Sequence, residues 1–303
     1  MELPRAEAFF DYLKEREEVR LRKEAGLSVS FEEKKWTDDP ILSTYKFTNV
    51  RRHHDRTSNQ LREIFYNEHF NDDRRSILMN CALFRYFGTW EFAEAVGWQE
   101  YDNFDFEGIK ELASERLAER ERVFTGAYVI TNQGISAPKQ EVVVDIFLQG
   151  LHKKTQELVK LAAVTQSWER VASEMRSLMG FGGTGFMTKE VLLDTTYTGF
   201  WENIVENMPD GKFSFPKDWW NWTPIGPGAL RGAARVAGSD VPVPLKEDKA
   251  AGVIMALGSL QELYWNYDFL LSPTDIQFGL CEFDKYERVR LGQGKPRSRY
   301  RAK

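Results

Sequence analysis

Residues 216–232, PKDWWNWTPIGPGALRG, constrain this chain more tightly than any other stretch. Three tryptophans, Trp219, Trp220 and Trp222, run into Gly226-Pro227-Gly228, which can continue neither a helix nor a central strand. An exposed loop is expected just ahead of Ala229, followed by a helix that carries Arg231 and, one turn on, Arg235. The first turn of such a helix offers unpaired backbone N–H groups beside a guanidinium, a place suited to phosphate. Flat indole walls next to an anion pocket suit a nucleobase whose substituent bears phosphates. The plain alternative is a Trp-rich core followed by a helix start.

With 303 residues the chain can form one large helical domain or two smaller ones, and either buries a substantial core. A formal net charge of −5 excludes a protein that is basic all over, so nucleic-acid contact has to come from local patches. One patch closes the chain: Lys285, Arg288, Arg290, Lys295, Arg297, Arg299, Arg301 and Lys303 stand against only Asp284 and Glu287. A second gathers Lys46, Arg51, Arg52, Arg56 and Arg62. Either could equally be a solvated charged face. The two cysteines, Cys81 and Cys281, make neither a disulfide framework nor a zinc signature and fit a reducing cytoplasm. No apolar run has the length of a membrane span and no secretory leader is present, so no membrane partner is expected.

Hydrophobic spacing predicts a charged helix over residues 5–25 and a capped helix behind Trp36-Thr37-Asp38-Asp39-Pro40 bearing Ile41, Leu42, Tyr45 and Phe47. Further helices are expected over 72–97, broken at Gly88, and over 105–122, 139–164, 166–178, 184–206, 245–270 and 274–290. Residues 127–131 are the one place for a short strand, or else an ordered loop. The architecture is mainly α. It reads as one helical domain over 1–290, divisible into lobes of about 1–125 and 126–290, followed by a basic tail over 291–303.

Three further stretches carry chemistry. Residues 178–194, LMGFGGTGFMTKEVLLD, place Gly180 and Gly185 as a P-loop would, but Phe186-Met187 stands where Lys-Ser/Thr must hold phosphate and Mg²⁺. The glycine hairpin between two helices looks instead like the helix-hairpin-helix of DNA glycosylases. There Gly180 and Gly182 would grip a DNA phosphate with help from Lys189, and Asp194 would face the site; a plain tight turn between helices is the alternative. Residues 280–288, LCEFDKYER, put Glu282, Lys285 and Tyr286 on one helix face and Cys281, Asp284 and Arg288 on the next. Glu282 or Asp284 could deprotonate an amine, or the run could be a surface helix laced by ion pairs. His53 and His54 are adjacent and should splay apart, a poor metal pair.

These stretches also form one ordered pattern. It opens with Arg16-Glu17, then Trp36-Thr37-x-Asp39-Pro40-Ile41-Leu42-x-x-Tyr45-x-Phe47-Thr48-Asn49-Val50-Arg51, then Asp55 and Thr57. It continues through Gly180-Phe181-Gly182 with Glu190-Val191 and Asp194. It closes on Trp222, Gly226-Pro227-Gly228-Ala229-x-Arg231-Gly232 and Cys281-Glu282-x-Asp284-Lys285-Tyr286. Over about residues 16–300 the chain resembles the α-glutamyl/putrescinyl thymine pyrophosphorylases of phage thymine hypermodification, also called amino acid:DNA transferases. The helical domain attached to phage 5-hydroxymethyluracil DNA kinases is in the same group. Lys35 before Trp36 and Gly183 after Gly182 depart from the pattern, where prolines are usual.

The resemblance implies a helical, DNA-glycosylase-like fold and a reaction on double-stranded phage DNA in the host cytoplasm. After a kinase has made the pyrophosphoryl ester of 5-hydroxymethyluracil, the transferase displaces pyrophosphate with an amino acid or polyamine. No P-loop domain is visible, so the transferase is favoured over the kinase, which could be a physical partner. In that scheme Gly226, Gly228, Arg231 and Arg235 clamp the pyrophosphate. No cofactor is required, with room for Mg²⁺ to assist. Trp219, Trp222 or Tyr45 stack on the flipped base. Glu282 or Asp284 takes the amine proton, Lys285, Arg51 and Arg52 touch phosphate, and Cys281 could add to C6 of the ring. The rival readings are a glycosylase excising a modified pyrimidine and a non-catalytic module that flips bases for a kinase.

Overall fold

The computed structural model describes residues 2–27, 36–208, 211–296 and 298–300. The expectations resting on Lys35, Arg297, Arg301 and Lys303 lie outside the described residues. Helices dominate, in the order α1 (Ala6–Glu24), α2 (Pro40–Thr44), α3 (Arg56–Leu61), α4 (Arg74–Phe87), α5 (Trp90–Val96) and α6 (Phe106–Ala118). Then α7 (Lys139–Glu141) runs through a π-helical stretch, Val142–Leu148, into α8 (Gln149–Thr165), followed by α9 (Trp168–Met175) and α10 (Phe186–Thr195). A hairpin of β1 (Ile204–Met208) and β2 (Gly211–Phe215) precedes α11 (Pro227–Val236), α12 (Glu247–Tyr264) and α13 (Pro273–Arg290).

Of the two readings of residues 127–131 the loop holds, and one expectation changes: the helix expected over 184–206 stops at Thr195 and gives way to β1. The cause is local. The hydroxyls of Thr195, Thr196 and Thr198 bond back to the carbonyls of Leu192, Leu193 and Thr195 at 2.6, 2.6 and 2.7 Å. Such back-bonding competes with the helical ladder. Beyond it Phe213 and Phe215 alternate in β2, and both are buried. Likewise α2 ends at Thr44, ahead of Tyr45 and Phe47. Asp39 caps it as read, its Oδ1 accepting the N–H groups of Ile41 and Leu42 at 2.7 and 2.9 Å. His53 and His54 do not splay; their rings meet edge to face at 4.3 Å.

The chain divides into two compact units, residues 1–55 with 220–303, and residues 56–219. They are not the consecutive lobes 1–125 and 126–290, because the first is assembled from both ends of the chain. In the 56–219 unit, α4 is the central element: every residue from Ser76 to Phe87 is buried, and α8 and α10 pack on it. The other unit is built on the crossing of α11 and α13. Its core joins Phe9, Phe10 and Leu13 of α1, Val253 and Leu257 of α12, and Ile276, Leu280 and Phe283 of α13.

The α11–α13 crossing is held close by two glycines. A Cβ at Gly228 would lie 2.3 Å from the Cys281 sulfur, and one at Gly232 would lie 2.0 Å from the Leu280 carbonyl oxygen. Neither glycine is there for a positive φ. Gly226 is the N-cap, Pro227 occupies the first helical position, and Gly228 already lies inside the helix. The helix therefore begins two residues earlier than Ala229. Gly232→Ala should destabilise the protein by about 1–3 kcal/mol or more, because the obstacle is backbone that cannot rotate aside. Gly226→Ala, with nothing within 4 Å of its new methyl, should stay within about 0.5 kcal/mol. Urea denaturation of the two variants checks the contrast.

Candidate functional site

On α13, Asp284 faces the glycine-lined surface of α11 and is fully buried. Its Oδ2 accepts from Arg231 Nε at 2.9 Å, its Oδ1 accepts from Arg235 Nε at 2.8 Å, and Arg288 Nε lies 3.4 Å away. The i, i+4 spacing of Arg231 with Arg235, and of Asp284 with Arg288, turns all three guanidiniums toward one carboxylate. Three positive charges against one negative leave the cluster cationic. Arg235 is fully buried, and its remaining nitrogens donate to the Asp240 carbonyl at 3.1 Å and to Gln293 Oε1 at 2.9 Å. Every nitrogen of it is thus engaged inside the protein, so its place in a pyrophosphate clamp is corrected to that of a group that positions Asp284.

Arg231 is different. Its side chain is 34% exposed, and among the described residues only Nε is engaged, which leaves both terminal amines open. Helix α11 has no side-chain cap, and the N–H groups of Gly228 and Ala229 meet no acceptor among the described residues. Residues 226–231 therefore present uncommitted donors at the positive end of a helix.

The next face of α13 carries Glu282 and Lys285. Glu282 Oε2 accepts from the backbone N–H of Thr48 at 3.1 Å and from Lys285 Nζ at 2.7 Å, while Oε1 has no partner among the described residues. Lys285 lies 4.5 Å over the Phe47 ring. The 47–49 segment is itself pinned by Arg16 of α1, whose Nε donates to the Thr48 carbonyl at 2.9 Å. Its Nη2 reaches the Phe47 carbonyl at 3.2 Å and Asn49 Oδ1 at 2.5 Å. Tyr12, one turn earlier, is buried with its hydroxyl unpartnered among the described residues, and that burial, beside Glu282, pushes its phenol well up. Tyr286 donates to Asp39 Oδ2 at 2.6 Å, and burial pushes its phenol up too. Cys281 is half-buried against Gly228.

The expected aromatic walls are placed less openly. Trp219 belongs to the 56–219 unit, where its ring is 7% exposed and stacked on Trp168 and Phe215 at 5.2 and 4.7 Å. Its neighbour Asp218 caps α9, accepting the N–H groups of Trp168 and Glu169 at 2.8 and 3.1 Å. Tyr45 is 6% exposed beneath the Arg299 guanidinium, 5.0 Å from its ring. Both are corrected as base-stacking residues because they are already packed. Trp222 is half-buried and Trp220 exposed, both in the other unit. Arg51 and Arg52 are half-buried, over Phe269 and Phe278 at 4.7 and 4.9 Å, and Arg52 pairs with Asp55.

Within the 56–219 unit, α9 and α10 are joined by the glycine-bearing turn. Gly180 is buried, and its N–H donates to Gln133 Oε1 at 3.2 Å. Lys189 is 5% exposed and lies 3.5 Å from Glu190. Neither is open to a DNA phosphate, whereas Gly182 is half-buried at the tip. Asp194 is fully buried and accepts from Tyr66 at 3.0 Å and from two nitrogens of Arg85, Nε at 2.7 Å. Burial pushes its carboxyl up, against the pull of Arg85. Asp194 is thus a structural anion and not a group facing a site. Sequence reading missed Arg85, which sits in an apolar stretch of α4 with only its charge to mark it.

Residues 4–295 match the family described as 5-hmdU DNA kinase, helical domain. The chain belongs to that family. A relative, the 5-hmdU DNA kinase of Bacillus phage SP10, is 28% identical over 241 residues, or 74% of this chain and 35% of the relative. The chain thus spans about a third of that relative's length. No solved structure matches. No helix among the described residues is long and apolar enough to cross a membrane.

Asp284→Ala should cost about 3–5 kcal/mol of stability in urea, because it strands the buried Arg235 guanidinium without its counter-charge. Arg288→Ala, at the exposed rim of the same cluster, should change it by no more than about 0.5 kcal/mol.

Proposed function

We propose that this helical chain is a transferase that displaces pyrophosphate from 5-pyrophosphorylmethyl-deoxyuridine in phage DNA and installs an amino acid or polyamine. The observation that carries the reading is Arg231. A guanidinium oriented by a buried aspartate keeps both terminal amines open beside the uncapped start of α11. Pyrophosphate departs more readily when its developing charge meets preorganised donors. The C–O bond to the exocyclic methylene breaks, with electrons supplied by the pyrimidine ring. The amine nitrogen then forms a C–N bond, and its proton passes to Glu282.

Glu282 suits that role better than Asp284, since Oε1 is uncommitted while both Asp284 oxygens are held by guanidiniums. Arg231 and the first N–H groups of α11 would hold the pyrophosphate, and Mg²⁺ bound to it would supply further neutralisation of its charge. The base must leave the duplex to be reached, and Trp222 and the exposed Trp220 are the aromatic groups we assign to receive it. The turn between α9 and α10 serves as a helix-hairpin-helix, with Gly182 as its phosphate-contacting tip. The acting form works in the host cytoplasm.

The family description favours one second reading, a base-presenting module that serves a 5-hmdU DNA kinase without turning anything over. Duplex carrying 5-pyrophosphorylmethyluracil, offered with a panel of amino acids and polyamines and digested for nucleoside mass spectrometry, separates the two. Adduct formation with release of pyrophosphate is expected; binding without any adduct across the panel would leave the module. Arg231→Ala should lower the rate by about 10²–10³-fold, the usual effect of removing one preorganised donor, while the fold persists. Glu282→Gln should lower the rate of adduct formation while leaving duplex binding in place.

A further inference from the structure

Helix α1 pairs its cations with neighbouring acids, with two exceptions. Lys14 pairs with Asp11 at 2.7 Å, Arg20 with Glu17 and Glu24 at 2.5 and 2.6 Å, and Arg22 with Glu15 and Glu18 at 3.2 and 3.6 Å. Arg16 and Lys23, seven residues apart and so on one helix face, form no ion pair among the described residues. Arg16 is buried, holds the Phe47 and Thr48 carbonyls, and leaves Nη1 without a partner among the described residues.

Lys23 instead donates to the Tyr300 hydroxyl at 2.5 Å and lies 4.2 Å from the Tyr300 ring and 4.4 Å from the Trp36 ring. Lys46, exposed and with no acid paired to it among the described residues, sits 5.8 Å from the same Tyr300 ring. The segment carrying Tyr300 is tied down by its backbone: Tyr300 N–H donates to the Thr44 carbonyl at 3.0 Å, and Lys46 N–H donates to the Ser298 carbonyl at 3.1 Å. Lys23 thus meets both rings and Lys46 the Tyr300 ring, Arg16 lies on the same face of α1 seven residues before Lys23, and none of the three has a paired carboxylate among the described residues.

We propose that Arg16, Lys23 and Lys46 form a phosphate-binding site separate from the Arg231 donors, with Trp36 and Tyr300 as its aromatic walls. Like charges gathered without counter-charges raise one another's cost, and burial adds to it. Burial together with the Arg16 and Lys46 charges holds Lys23 down to about 8. A phosphate relieves that repulsion for all three cations at once, where a single carboxylate would serve only one or two. The rings suit the sugar or base that flanks a phosphodiester. Lys23 and Lys46 lie at the accessible rim, and Arg16 supplies charge from the buried side. The site deepens the reading of the chain as a DNA-acting protein and rests on it for the source of the phosphate. The same chemistry would accept free phosphate or pyrophosphate.

The test uses the full chain and an unmodified duplex of about 20 bp in fluorescence anisotropy over a series of KCl concentrations, with no amine present. It is therefore independent of whether any transfer occurs. A second arm titrates the protein calorimetrically with inorganic phosphate and with pyrophosphate. The Lys23→Gln/Lys46→Gln variant should bind the duplex about tenfold or more weakly at low salt. Its slope of log K against log[KCl] should fall by nearly two, about 0.9 for each DNA phosphate that the variant no longer neutralises. Lys249→Gln, an exposed cation on α12, should leave both unchanged. Loss of phosphate or pyrophosphate binding in the double variant, with duplex binding intact, would keep the site and assign it a free phosphate. Equal duplex affinity, equal slope and equal phosphate heats in the wild type and double variant would overturn the proposal.

Discussion

The approach of α11 to α13 through Gly228 and Gly232 is the constraint on which the candidate site depends. Only a side chain of one hydrogen lets the α11 backbone come within reach of the Leu280 carbonyl and the Cys281 sulfur. That approach sets Arg231 and Arg235, three and seven residues after Gly228, over Asp284, one turn after Leu280. A wider crossing would separate the guanidiniums from their carboxylate and leave Asp284 buried without compensation, a costly arrangement for an ion. Packing and charge are therefore one device here: the close crossing makes the ion cluster possible, and the cluster orients the donors of α11.

Much of this unit was legible because its signals are local. Asp39-Pro40 announced a helix start, Gly226-Pro227 a helix entry, and the spacing of Glu282, Lys285 and Tyr286 a shared helix face, since each depends on residues within one or two turns. What was not legible depended on partners far away in the chain. Trp219 and Trp222 stand three positions apart and read as one aromatic wall. Yet Trp219 stacks on Trp168 and belongs with residues 56–219, while Trp222 belongs with the chain ends. Nothing in the spacing of PKDWWNW marks that division. Gly228 was legible as part of a Gly-Pro-Gly break and Gly232 only as a motif position, neither as the floor of a helix crossing, because that role is defined by Leu280 and Cys281 about fifty positions on.

Asp194 shows the same limit from the other direction. At the end of a helix behind a glycine hairpin, a carboxylate reads as a group facing a site. Its meaning is reversed by Arg85, more than a hundred residues earlier, which fills it with two N–H donors while Tyr66 donates its hydroxyl. An acid that is fully buried and fully satisfied holds α4 against α10 and has no open oxygen with which to do chemistry. Lys189, one turn earlier, is buried with it. What the hairpin leaves to solvent is its tip, Gly183 and Thr184, with the exposed Arg176 donating to the Gly183 carbonyl at 3.1 Å.

Glu282 and Asp284 make the general argument within two residues of one helix. Identical in charge and nearly so in reach, they differ by which neighbour α13 turns them toward. Asp284 meets α11 and receives guanidinium donors on both oxygens; Glu282 meets the 47–49 segment and receives a backbone N–H and an ammonium on one oxygen only. An acid can accept a proton in a reaction only through a lone pair not already committed to stronger, charged donors. The first carboxylate is therefore part of the scaffold that fixes positive charge, and the second keeps one oxygen uncommitted among the described residues. Arg16 is what sustains the difference. By holding the Phe47 and Thr48 carbonyls it keeps the Thr48 N–H aimed at Glu282, and so restrains the side chain without consuming its outer oxygen.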